Sequence, residues 1–71
     1  MFTKIVHITL NGDPLDVPGT ASVTELLKSL EIDARRVAVE HNLVIVKRAA
    51  FDATLVREGD SVEIVNFVGG G

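Results

Sequence analysis

The sequence predicts an α+β domain in which one helix covers one face of a mixed sheet of about five strands. Two alternating segments come before a single helical pattern, two segments rich in β-branched residues follow it, and one more alternating segment stands near the end of the chain. With 71 residues the chain has room for one compact core. The order ββαββ, an irregular segment, then β fits one sheet backed by one helix.

The first two segments predict a hairpin. Residues 3–10 alternate with a period of two, so that one side carries Lys4, Val6, Ile8 and Leu10 and the other carries Thr3, Ile5, His7 and Thr9. Asn11-Gly12 supplies the two positive-φ positions of a type I′ turn. Residues 15–17 then return antiparallel with Leu15 and Val17 inward, and Pro18-Gly19 ends the strand.

The helix begins at a capping box. In Ser22-Val23-Thr24-Glu25 the Ser hydroxyl accepts from the backbone three residues on, and the Glu carboxylate accepts from the cap amide. An apolar stripe at helical spacing follows, formed by Val23, Leu26, Leu27 and Leu30. We expect two to three helical turns with this stripe against the sheet.

A second hairpin and a last strand complete the pattern. Residues 37–40 and 43–47 are rich in β-branched residues and flank a turn at His41-Asn42. We expect Phe51 and Leu55 to close one end of the core, and residues 58–60 to form a turn. Residues 61–67 alternate again, with Val62 and Ile64 on one face and Glu63, Val65 and Phe67 on the other.

A ubiquitin-like β-grasp roll is the economical arrangement of these elements. In such a roll the first and last strands lie parallel at the centre of the sheet. We therefore expect a β-grasp domain over residues 1–67 and a flexible tail over residues 68–71. The tail would start from a strand that is firmly held at the centre of the sheet.

Composition argues against several classes of function. The chain has no Cys and only two His residues, His7 and His41, so spacing offers no metal cluster and we expect no cofactor. The net charge of −3, with scattered Lys and Arg, argues against nucleic acid as a partner. Arg35-Arg36 is predicted to be a solvated entry to a strand. No apolar run approaches a membrane span, and a cytoplasmic protein is expected.

The C-terminal residues are the most informative part of the sequence. Three glycines, Gly69, Gly70 and Gly71, follow the last strand after Val68. Glycine has no Cβ, so such a tail can pass through a narrow channel and lie against another backbone. Five residues from Phe67 onward reach roughly 17 Å when extended. The Gly71 carboxylate is therefore the candidate reactive group, presented to a protein partner.

Over almost its whole length the chain resembles the ThiS family, the sulfur carriers of thiamine thiazole biosynthesis. Residues 59–71 are similar to the family's Gly-Asp, alternating apolar strand and terminal Gly-Gly, and Asn11-Gly12 and the start of the helix also fit. Residues 42–51 are similar to the family's Asn, apolar pair, Pro-Arg and aromatic, but Lys47 stands where Pro is usual.

This resemblance implies a carrier that is a co-substrate and not an enzyme. An E1-like adenylating enzyme would convert the Gly71 carboxylate to an acyl-adenylate, because a carboxylate is a poor acyl donor. A sulfur donor, ultimately a cysteine desulfurase persulfide, would then leave a thiocarboxylate on Gly71. Thiazole synthase would accept the sulfur, with Val68, Gly69 and Gly70 threaded into each partner's active site.

Docking residues are predicted from strand parity. Ile5, Val65 and Phe67 face outward near the root of the tail and are candidates for contact with the partners. Acidic residues on and before the last strand, Glu58, Asp60 and Glu63, could complement a basic groove on a partner.

Three other functions fit a glycine tail. The small subunit of molybdopterin synthase has the same logic, but those chains are longer and Pro-rich before the glycines, unlike Asn66-Phe67-Val68. A ubiquitin-like modifier would join Gly71 to lysine amines. A plain interaction module would keep every activity without Gly70 and Gly71. The thiazole carrier ranks first.

Overall fold

The computed structural model describes residues 4–67, which form one five-stranded mixed sheet and one α-helix, α1. This confirms the predicted fold class. Two short 3-10 turns, Ala34–Arg36 and Arg48–Ala50, connect the elements. The bounds in chain order are β1 Ile5–Leu10, β2 Asp13–Pro18, α1 Val23–Ser29, β3 Val37–His41, β4 Val44–Val46 and β5 Ser61–Asn66.

The sheet has the strand order β2-β1-β5-β3-β4. Strand β5 lies in the centre, parallel to β1 and antiparallel to β3, as the sequence predicts. The first hairpin turns at Asn11 (φ 50°) and Gly12 (φ 87°), both left-handed. Val6, Ile8 and Val17 face the helix and are buried, whereas Leu15 is half-buried.

The predicted capping box begins α1. The Ser22 hydroxyl accepts from the Glu25 amide at 3.1 Å, and the Glu25 carboxylate accepts from the Ser22 amide at 2.9 Å. Val23, Leu26 and Leu27 lie in the core with at most 2% of their surface exposed. Leu30 follows the last helical turn and is half-buried.

The second hairpin turns one residue later than predicted. Strand β3 continues through His41, which is opposite Val44, and the turn is formed by Asn42 (φ 52°) and Leu43 (φ 70°). Contacts with β5 shift the turn, because Asn42 donates its backbone amide to the Ser61 carbonyl at 2.8 Å and accepts the Ser61 amide on its side-chain oxygen at 2.8 Å.

The irregular segment before β5 corrects one core prediction. Phe51 is buried, as expected, but Leu55 is exposed and Val56 is fully buried. Leu55 forms an isolated bridge with Ser22, and the Val56 amide donates to the Ala21 carbonyl. In extended backbone neighbouring side chains point to opposite sides, so Val56 takes the inward position and Leu55 the outward one.

Candidate functional site

The last described residues of the chain, Asn66 and Phe67, are the root of the predicted tail. Val37 lies opposite Asn66 in the antiparallel pairing of β3 with β5. The Phe67 amide then donates to the Arg36 carbonyl at 2.9 Å, one residue beyond the strand. On this side the backbone is therefore held up to Phe67, and residues 68–71 lie outside the described part of the chain.

On its other side β5 extends beyond the end of its neighbour, β1. Strand β1 ends at Leu10, opposite Val62, where the chain turns away at Asn11. The Asn11 side chain continues the ladder by one step: its oxygen accepts the Ile64 amide at 2.8 Å, and its nitrogen donates to the Ile64 carbonyl at 3.2 Å. The side-chain amide of Asn11 thus makes the hydrogen bonds that the backbone of one more β1 residue would make.

Beyond Asn11 the edge of β5 is open. Backbone groups alternate along a strand, so Asn66 presents its amide and carbonyl to the same side as Val62 and Ile64. Among residues 4–67, no strand pairs with Asn66 on that side. An open groove of about 520 Å³ lies next to it, lined by Asn11, Gly12, Ser61, Glu63, Ile64 and Val65. The tail therefore leaves a strand that is flanked on one side only.

Two of the three predicted docking residues lie at this root. Val65 and Phe67 are 60% and 57% exposed, on the sheet face away from α1. Ala38 lies opposite Val65 on β3 and is half-buried. These side chains form a small apolar surface beside the start of the tail.

Ile5 does not lie near the root of the tail, contrary to the sequence-based prediction. It is 50% exposed on the same sheet face. In the parallel register, however, Thr9 is opposite Ser61, so Ile5 lies four positions before this pair and Val65 four positions after it. At about 3.3 Å per residue the two side chains are about 26 Å apart along the strands. Parity predicts the face of a residue but not its position along the sheet.

Ile45 is an apolar surface residue that the sequence analysis did not single out. It is 71% exposed on β4, opposite Glu40, which is itself opposite Glu63. The alternation of residues 43–47 contained this information, since the predicted pairing with β3 places Ile45 on the outer face. Glu40 and Glu63 form a cross-strand pair of like charges, which is an unfavourable contact.

The other acidic candidates lie at the opposite end of β5 and are engaged within the domain. Glu58 accepts the His7 amide at 3.0 Å. Asp60 accepts from the His41 ring at 2.5 Å, the Arg57 amide at 2.8 Å and the Asn42 side chain at 3.1 Å. Burial opposes the ionisation of Asp60, but these hydrogen bonds together hold its pKa below the usual range. They are structural groups distant from the tail.

The described residues form a platform from which the tail starts. Within residues 4–67, no group of three or more His, Asp or Glu side chains is placed to hold a metal ion. In the same range no helix has the length and apolar character needed to cross a membrane. What the geometry provides is a rigid strand end with an apolar surface beside it.

Comparison with known proteins identifies a family. The model of the ThiS family matches residues 8–71. The crystal structure of the thiamine biosynthesis protein (ThiS) from Geobacter metallireducens superposes with a TM-score of 0.82 and 45% identity, covering 93% of this chain and 100% of that one. A solution structure of a thiamine biosynthesis protein from Geobacter metallireducens gives 0.75 and 46%, covering 93% of this chain and 88% of that one.

Two kinds of curated relative are also similar. The thiazole synthase of Paramagnetospirillum magneticum is 41% identical over 66 residues, which is 93% of this chain but 20% of that protein. The chain thus spans about a fifth of the length of this relative. The uncharacterized protein ycf40 of Porphyra purpurea is 34% identical over the full length of both chains. The chain belongs to the ThiS family, the sulfur carriers of thiamine biosynthesis.

Proposed function

We propose that the Gly71 carboxylate is the sulfur-carrying group of this protein. A carboxylate oxygen attacks the α-phosphate of ATP in an adenylating enzyme, which releases pyrophosphate and leaves an acyl-adenylate. A sulfur nucleophile then displaces AMP, and the resulting thiocarboxylate delivers its sulfur to thiazole synthase. The carrier is a co-substrate in each of these steps, and it supplies the acyl group while its partners supply the catalytic groups.

The observation that carries this proposal is the combination of three glycines with a firmly held strand end. Phe67 is hydrogen-bonded to Arg36, and four residues follow it. Those four residues, Val68, Gly69, Gly70 and Gly71, reach at most about 14 Å beyond Phe67 when extended. A partner that holds the domain by its outer surface can therefore take the carboxylate into a buried site, and glycines fit a narrow channel.

The similarity to thiazole synthases supports the choice of acceptor. In the relatives from Paramagnetospirillum magneticum and Magnetococcus marinus, a segment similar to this chain makes up 20% of a protein named thiazole synthase. Joining two domains in one chain keeps them at a high effective concentration. A carrier domain and its acceptor would benefit from such a link, and we infer that this chain meets the same kind of acceptor.

The docking surface in this proposal consists of Val65 and Phe67 on β5, together with Ala38 on the neighbouring strand β3. Exposed apolar side chains next to the tail can be buried by a partner while the tail is inserted. The surface is small, which suits a carrier that two enzymes bind and release in turn. Ile5 is left out because of its distance from the root.

The test is the intact mass of the protein after incubation with the source organism's adenylating enzyme, Mg-ATP and sulfide. We expect a gain equal to the exchange of one oxygen for sulfur. The matched control is the chain without Gly70 and Gly71, which keeps the whole folded domain and should gain nothing. Adducts with lysine amines in place of sulfur would support a ubiquitin-like modifier, and an unchanged terminus would overturn the proposal.

A further inference from the structure

The tail root is surrounded by positive charge in an acidic protein. Four of the seven Lys and Arg residues of the chain lie at this end of the sheet, although its net charge is −3. They precede β3, which pairs with the end of β5, or follow β4, which lies beyond β3 in the sheet. We call them the root cations: Arg35, Arg36, Lys47 and Arg48.

Contacts hold the root cations close to the tail. The Arg36 carbonyl accepts the Phe67 amide at 2.9 Å. The Arg48 guanidinium donates to the Arg35 carbonyl at 3.3 Å, which joins the two basic segments. Lys47 follows Val46, and the register of β3 with β4 places it beside Ala38, the residue opposite Val65. The cluster therefore borders the apolar surface of Val65 and Phe67.

Most of this charge is not neutralised within the domain. Arg35 forms two contacts with the Asp33 carboxylate, at 3.2 and 3.1 Å, and this guanidinium lowers the pKa of Asp33 to about 2. The Arg36 guanidinium is 4.0 Å from the same carboxylate and 84% exposed. In the part of the chain that the structure describes, Lys47 and Arg48 have no carboxylate within 4.0 Å.

We propose that the root cations bind an acidic surface of the adenylating enzyme, at the mouth of the cleft that takes in the tail. This inference rests on the proposed function. The cations lie at the base of the tail, so they stay outside the cleft when Gly71 is at its end. A protein surface is favoured over a nucleic acid, because the rest of the chain has ten Asp and Glu against three Lys and Arg and would repel an extended polyanion.

The charge distribution also orients the encounter. Asp16, Glu58 and Asp60 lie toward the other end of the sheet, where Lys4 and Arg57 partly offset their charge, so the excess of positive charge is at the tail root. An acidic partner therefore attracts the end that bears the tail root. Such steering raises association rates by roughly 10- to 1000-fold and weakens with salt.

The experiment compares two double variants with the same change in net charge. R36E/K47E reverses two exposed root cations, and K4E/K28E reverses two exposed cations elsewhere, at the start of β1 and on α1. Association with the adenylating enzyme is measured by stopped flow at low and at high ionic strength. We expect R36E/K47E to slow association about 10-fold or more at low salt, and the loss to shrink at high salt. K4E/K28E should change the logarithm of the association rate constant by less than half of the change that R36E/K47E causes.

The outcomes separate this inference from the proposed function. Thiocarboxylate formation is followed in the wild type and should persist in K4E/K28E, and circular dichroism should show the native fold in both variants. If the wild type never gains sulfur, the proposed function fails and this inference with it. If the wild type gains sulfur but R36E/K47E associates as fast as the wild type, or no slower than K4E/K28E, the inference alone is overturned. If DNA or anionic vesicles, added as competitors, slow the association of the wild type as much as R36E/K47E does, the inference is also overturned, because the root cations then bind anions in general.

Discussion

The two ends of β5 differ in how they are held. At its start, Val62 has strands on both sides and Ser61 lies between Thr9 of β1 and the turn residue Asn42, and Asp60 and Asn42 connect the adjoining turns through side-chain hydrogen bonds. At its end, Asn66 is paired with β3 alone. The domain thus places the hydrogen-bond network of Asp60 away from the tail root and leaves the strand edge next to the root open. An open strand edge is a liability for aggregation, and this one lies where a partner is expected to bind.

The largest expected contrast lies in one pair of valines on this strand. Val62 is fully buried and Val65, three residues later on the opposite face, is 60% exposed. Val62→Ala removes two buried methyl groups and leaves a cavity, so we expect a loss of about 2 to 3 kcal/mol in the free energy of unfolding. Urea denaturation measures it.

Val65→Ala is the matched control, with the same substitution in the same strand. We expect less than about 0.5 kcal/mol of destabilisation, because an exposed side chain has little packing to lose. In the thiocarboxylate assay it should instead raise the enzyme concentration needed for half-maximal modification. A large loss of stability in Val65→Ala would show that the outer face is covered within the domain.

The second contrast concerns the side chain that replaces strand β1 beside the open edge. Asn11→Gly keeps a residue that tolerates φ 50° and deletes both hydrogen bonds to Ile64. We expect a loss of about 1 to 2 kcal/mol, since each bond contributes about 1. Amide exchange should speed up at Ile64 and stay unchanged at Val62. Uniform acceleration along β5 would show instead that Asn11 acts through the turn.

Asn11 also shows what the sequence predicts and what it does not. Asn-Gly between two alternating segments predicts a type I′ turn, and the turn is there. The second use of Asn11, as a partner for Ile64, which lies 53 positions further along the chain, needs the parallel register of β1 with β5, which no local pattern contains. The same reason explains Ile5: alternation gives its face, and only the register gives its distance from Val65.

Local patterns failed where a long-range contact decided the backbone. Leu55 and Val56 are both apolar, and the bridge to Ser22 decides which of them points inward. The turn at Asn42 and Leu43 is placed by bonds to Ser61. The tail was predictable because three glycines at one position need no register. The root cations were not, because Arg36 and Lys47 come together only when β3 and β4 pair.

The third contrast concerns the acidic end and its dependence on pH. The pKa of Asp60 is lowered in the folded state, so its ionised form stabilises the fold above the ordinary value of 3.8. That stabilisation is lost as the pH falls through the lowered pKa. Asp60→Asn should cost about 1 kcal/mol at pH 7, through its weakened hydrogen bonds, and flatten the fall in stability below pH 4. Denaturation at several pH values measures both. Asp33→Asn is the comparison at the tail end. The Asp33 carboxylate is exposed and screened by solvent, so we expect a smaller loss in the free energy of unfolding than for Asp60→Asn.

The smallest expected effect is a gain in stability on the outer face of β5. Glu63 lies opposite Glu40, and the two like charges repel each other across the strands. Glu63→Gln removes this repulsion, and we expect a gain of about 0.5 kcal/mol that disappears at high salt. Glu58→Gln is the matched substitution at the start of the strand, where the carboxylate accepts the His7 amide; there we expect no gain. A gain in both variants would show that the stability responds to the overall charge of −3 and not to the pair. A gain confined to Glu63→Gln would show that the outer face near the tail carries an unfavourable contact that the fold does not require.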